Sequence, residues 1–167
     1  MIDPMHPEVE EAHMFEPVTK HIRVERSPED AFRLFTERIG EWWPHEHYSR
    51  VVDAEREDLT VERMVFEPHE GGRVYEVASD GTEGSWATVL AYEPPDRIVL
   101  AWKPNDEDRP PTEVEVRFTA DGDGTRVDLE HRGWERIGDL ARDSRGGYSE
   151  GWDEVLARFA VAAAAAR

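Results

Sequence analysis

Apolar and polar residues alternate along much of the chain. Val18, Lys20, Ile22 and Val24 take one side of an extended segment, and Thr19, His21, Arg23 and Glu25 take the other. This is the two-residue period of a half-buried strand. Ser27-Pro28-Glu29-Asp30 then reads as a helix start, with Ser as cap, Pro in the first turn and an acid three residues after the cap. Phe32, Phe35 and Ile39 share one face of that helix, and Gly40 stands where it would end. A short second helical segment over 41–45 carries Trp42 and Trp43. Alternation predicts further strands over 59–67, 73–78, 85–92, 97–103, 113–119 and 125–133, separated by Gly-, Pro- and Asp-rich turns. Connections this short imply an antiparallel meander, because parallel neighbours need long crossovers. Over 148–167, Trp152, Val155, Leu156, Phe159 and Ala163 form one stripe of an Ala-rich helix. The order predicts an α+β domain over 16–167, with a curved antiparallel sheet wrapped around a long last helix. Residues 1–15 lack periodicity and are expected to be a flexible arm.

The chain has 167 residues, enough for one sizeable core. It carries 20 Lys+Arg against 38 Asp+Glu, a formal charge of −18, and has no basic run. Nucleic-acid binding and an anionic membrane surface are therefore not expected as partners. The absence of cysteine excludes disulfides, thiolate metal sites and a Cys nucleophile. With no secretion signal and no apolar run long enough to span a bilayer, the expected location is cytoplasmic.

The aromatic residues are the most informative group, with 6 Trp, 6 Phe and 4 Tyr in one domain. They serve either as filling for a large curved sheet or as the lining of an apolar pocket. His131 shares parity with Val127 and Leu129, so it points inward. There it is a satisfied core imidazole, a ligand-orienting donor or a general base. Pro44-His45-Glu46-His47-Tyr48 has two imidazoles and a carboxylate but lacks a metal motif, and it reads as a solvated loop at a cavity mouth. Asp106-Glu107-Asp108 and Asp121-Gly122-Asp123-Gly124 do not have calcium-loop spacing, and the second is a hairpin turn. Gly71-Gly72-Arg73 lacks the Lys-Ser/Thr of a phosphate loop, and no serine sits in a nucleophile elbow. Neither a metal nor a cofactor is expected.

Several stretches together resemble a known family. They are Val24-Glu25-Arg26-Ser27-Pro28-Glu29-Asp30-Ala31-Phe32, Phe66-Glu67-Pro68 with Gly71-Gly72-Arg73, and Trp86 with Val89-Leu90-Ala91-Tyr92-Glu93-Pro94-Pro95. Thr112-Glu113-Val114-Glu115-Val116-Arg117-Phe118, Gly124-Thr125-Arg126-Val127, Glu130-His131-Arg132-Gly133-Trp134-Glu135 and Gly151-Trp152 with Val155-Leu156 complete the set. The order resembles the helix-grip fold of the START and birch-allergen (SRPBCC) superfamily, in particular its heat-shock-protein-90 ATPase-activator-like branch. The resemblance runs from Glu16 to Ala163. It implies a cavity between the concave sheet and the terminal helix that holds a small apolar or amphipathic ligand. On that basis Trp42, Trp43, Phe66, Tyr75, Trp86, Trp102, Phe118, Trp134 and Trp152 are the expected lining, with His131 and Arg73 orienting a polar end. Phe159 is assigned to core packing. The expected function is ligand binding without turnover. The alternatives are a cyclase or hydrolase in which His131 or Glu130 moves a proton, and a co-chaperone-like or homodimeric interaction module.

Overall fold

Strand β1 (Val18–Val24) leads into helix α1 (Pro28–Phe35) and a 3-10 turn (Ile39–Glu41). Six strands follow: β2 (Val61–Phe66), β3 (Arg73–Ala78), β4 (Glu83–Glu93), β5 (Arg97–Trp102), β6 (Thr112–Asp121) and β7 (Gly124–Arg132). A 3-10 stretch (Trp134–Leu140) then enters helix α2 (Ala141–Ala165). The structure is a computed structural model that describes residues 14–52, 56–103 and 109–165. Most of the expected arm and the acid run over 106–108 lie outside the described residues.

The strands form one seven-stranded antiparallel sheet in the order β1-β7-β6-β5-β4-β3-β2. Consecutive strands from β2 to β7 pair as a meander. β1 pairs with the last strand, Val18 opposite His131 and Val24 opposite Thr125. The sheet curls around α2, and Trp152, Val155, Leu156, Phe159 and Ala163 of the helix are buried in the main core. This is the α+β helix-grip fold. No helix among the described residues is long and apolar enough to cross a membrane.

Ser27 caps α1 as expected, its Oγ accepting from Asp30 N at 3.2 Å. The helix nevertheless stops at Phe35 and does not continue through Ile39. Thr36 leaves helical geometry at φ −98°, ψ −82°, and its hydroxyl donates back to Phe32 O at 2.8 Å. Gly40 therefore caps no long helix. A Cβ there would stand 3.1 Å from Met64 O of β2, closer than ordinary van der Waals contact. Helix α2 begins at Ala141, seven residues before the apolar stripe predicts. That first stretch carries Gly146 and Gly147 and no apolar face, so its periodicity is silent.

Candidate functional site

Four indole rings from four separate elements converge near the N-terminal half of α2. Trp43 follows the 3-10 turn, Trp86 lies on β4, Trp102 ends β5 and Trp152 sits on α2. Centroids of Trp43 and Trp86 are 5.2 Å apart, Trp86 and Trp102 5.4 Å, and Trp102 and Trp152 5.2 Å, all tilted or edge-on. The cluster closes with Trp43 6.4 Å from Trp152. These rings floor a cleft of about 290 Å³. Its rim comprises Tyr48 and Arg50 on the loop before β2, and Asp143, Ser144, Gly147, Tyr148 and Gly151 on α2.

Each floor indole already donates its N–H inside the protein. Trp43 Nε1 donates to Tyr48 O at 2.9 Å, Trp86 Nε1 to Glu76 Oε1 at 2.8 Å, Trp102 Nε1 to the Tyr148 hydroxyl at 3.0 Å, and Trp152 Nε1 to His131 Nδ1 at 3.0 Å. The rings are thus fixed in orientation, and the surface they present to the cleft is apolar carbon rather than polar donors.

Two buried polar groups hold this floor from behind. His131 is fully buried. An indole nitrogen only donates, so Nδ1 of His131 accepts and the ring proton sits on Nε2. Nε2 then donates to Thr112 Oγ1 at 2.7 Å, and that hydroxyl donates onward to Trp102 O at 3.4 Å. Burial pushes the imidazole pKa down to about 3, so the ring is neutral. Trp134 packs against it at 4.2 Å between centroids. Glu76, also fully buried, is the second group. Besides Trp86 it accepts from the backbone N–H of Arg50 and from Ser49 Oγ at 2.9 Å. Its carboxylate therefore ties the floor to the rim loop. His45 Nδ1 lies 3.9 Å away, and its pKa is lowered by burial against the opposing pull of Glu76.

Of the rings and polar groups expected from the sequence, Trp43, Trp86, Trp102 and Trp152 line the cleft. Trp42 instead packs against Phe35 and Phe159 and donates to Leu34 O. Phe118 meets Phe32 and Phe35, Phe66 meets Tyr92, and Trp134 and His131 lie behind the floor. Arg73 stacks on Tyr75 at 4.3 Å and pairs with the exposed Glu83, away from the cleft. Sequence reasoning missed Glu76, Arg50, Asp143, Ser144 and Tyr148, whereas Tyr48 belongs to the loop expected at a cavity mouth. The usable signal was parity: Glu76 shares the inward side of β3 with Val74, which is unusual for a carboxylate.

On the rim, His47 and the Tyr48 hydroxyl both bond Glu154 of α2, and Arg158 bonds Glu46. Ligand atoms of Glu46, His47 and Glu154 lie within 4.8 Å of one another, the one grouping among the described residues that could hold a metal. Arg158 already supplies a cation there, 3.9 Å from Glu154.

Residues 25–164 match the family described as activator of Hsp90 ATPase homolog 1-like protein. The chain belongs to that family. Among solved structures, it is 35% identical to the anthrahydroquino-γ-pyrone synthase Txn09, with a TM-score of 0.56 over 86% of this chain and 94% of that one. It is 29% identical to CalC, a self-sacrificing resistance protein from Micromonospora echinospora, with a TM-score of 0.64 over 90% and 95%. The Aha1 dimer from Colwellia psychrerythraea shares the fold at 15% identity and a TM-score of 0.59, over 87% and 93%. No curated protein sequence matches.

Proposed function

We propose that this family member binds a flat, largely aromatic small molecule in the cleft floored by Trp43, Trp86, Trp102 and Trp152. One observation carries the reading. Four indoles from four elements converge on one opening with every N–H already engaged, leaving an oriented apolar surface. Such a surface favours offset or edge-on contact with another ring system, and the polar rim supplies a few directional groups, the usual composition of a ligand site. The 35% identity to a synthase of a fused aromatic product is consistent with a ligand of that shape.

Gly147 provides the test. Glycine within a helix costs about 1 kcal/mol relative to alanine, yet Gly147 lines the cleft and nothing lies within 4 Å of where its Cβ would stand. Leucine at 147 fills the opening while suiting the helix. Calorimetric titration of the full chain with 2-naphthoate should give micromolar binding that weakens at least about tenfold in Gly147→Leu, without loss of thermal stability. Undiminished binding by Gly147→Leu would place the ligand elsewhere.

A second reading, turnover of such a molecule, is favoured by that same identity to a synthase. His131 and Glu130 lie outside the cleft, so proton transfer would fall to the rim groups Asp143 and Tyr148. An activity unaffected by Asp143→Asn would remove Asp143 from that role.

A further inference from the structure

We propose that Tyr148 sets how far a ligand enters the cleft: its ring is the stop at the inner end, so that bicyclic ring systems seat fully and longer ones do not. This rests on the cleft being the ligand site and names the size of molecule that the site selects.

Tyr148 stands between two hollows. It lines the cleft, and it also lines a second hollow of about 10 Å³ that reaches Pro110, Thr112 and Trp134. Trp102, Ser144 and Tyr148 are the residues common to both, so they form the wall between them. A hollow of that size holds at most a single water. No ligand ring passes the wall, therefore, while the phenol is in place.

The space that the phenol fills is itself shaped for a ring. Its centroid lies 4.8 Å from that of His131, 5.8 Å from Trp134, 6.3 Å from Trp102 and 6.4 Å from Trp152. The Tyr148 hydroxyl accepts from Trp102 Nε1 at 3.0 Å, which ties α2 to the end of β5 across this slot. The side chain thus occupies an inward continuation of the indole floor, one that ends at the fully buried His131.

This arrangement limits length. Neighbouring indoles of the floor have centroids 5.2 to 6.4 Å apart, a span that a bicyclic ligand covers. A third ring in line has two directions. Inward it meets Tyr148, and outward it passes the rim and stays in water, where it adds no buried apolar area.

The experiment titrates the full chain calorimetrically with two probes that share a head group, 2-naphthoate and the linear tricyclic anthracene-2-carboxylate. Wild type should bind them with affinities within about threefold of each other, since the third ring stays outside. In Tyr148→Ala the tricyclic probe should gain at least about tenfold over the bicyclic one, as expected from burying one more ring. Tyr148→Leu suits the helix and fills part of the slot, so its gain should be smaller but in the same direction. The conservative Tyr148→Phe keeps the ring and should keep the wild-type ratio. All three variants release Trp102 Nε1 from its acceptor, so that loss cancels when they are compared. Near-ultraviolet circular dichroism reports whether the indole floor survives, and if Tyr148→Ala loses it, the comparison of Leu with Phe decides. A ratio unchanged in the Ala and Leu variants, or raised as much by Phe as by Ala, would overturn the stop and leave the cleft as a binding site. So would a preference of wild type for the tricyclic probe of about tenfold or more. Failure of both probes to bind wild type would overturn the cleft itself, and this proposal with it.

Discussion

Acid should destabilise this protein well above the range in which surface carboxylates titrate, and His131 is the cause. Its imidazole is fully buried, accepts from Trp152, donates to Thr112, and is held by burial at a pKa of about 3 against an ordinary 6.5. The folded state keeps the ring neutral, while the unfolded chain takes up a proton once the pH falls below about 6.5. The unfolded state thus binds more protons across this window, and stability is lost as pH falls from 6.5 towards 3. Each pH unit inside the window is worth about 1.4 kcal/mol, so moving from pH 7 to pH 5 should remove about 2 kcal/mol. The assay is urea unfolding followed by tryptophan fluorescence at both pH values. With a slope of about 2 kcal/mol per molar, the midpoint should fall by about 1 M. His131→Gln replaces the ring with an amide that can still accept and donate but cannot titrate in this range. Its midpoint should be lower at pH 7 yet much less sensitive to pH, the remainder coming from groups such as His45, whose pKa burial also lowers. If wild type and variant lose the same stability between pH 7 and pH 5, the imidazole is not a buried neutral group and the reasoning fails.

Glu76→Ala should cost at least about 3 kcal/mol, because three donors (Trp86 Nε1, Arg50 N and Ser49 Oγ) lose their acceptor inside the protein. Glu76→Gln keeps one acceptor oxygen and should cost about half as much, as read from thermal or denaturant unfolding. Gly146 does not line the cleft and has no atom within 4 Å of where its Cβ would stand. Gly146→Ala should therefore raise stability by about 1 kcal/mol and leave 2-naphthoate affinity unchanged. A loss of stability there would mean that the first turns of α2 are not helical.

Local signals made most of the fold legible. β3 carries the predicted bounds, and the other strands lie within a few residues of theirs, because alternation and turn residues are read within a few positions. Two helix ends were not legible. The stop of α1 depends on the Thr36 hydroxyl turning back on Phe32, and the start of α2 runs through glycines and polar residues that carry no stripe. Pairing of β1 with β7 joins residues more than 100 positions apart, beyond any local pattern.

The candidate site divides along the same line. Aromatic composition pointed to a ring-rich interior, but it could not say which rings face the opening. Trp43 lines the cleft while its neighbour Trp42 packs into the core, a choice made by the turn that carries them. Rim groups such as Arg50 and Asp143 look like ordinary surface charges in the sequence. They become a site only when the loop and helix that hold them are brought together.

The most direct test follows the six indole N–H resonances of nitrogen-15-labelled protein during titration with 2-naphthoate. Binding in the cleft should shift Trp43, Trp86, Trp102 and Trp152 and leave Trp42 and Trp134, which lie outside it, close to their starting positions. Shifts confined to Trp42 and Trp134, or six resonances unmoved at saturating ligand, would contradict a ligand site on the indole floor.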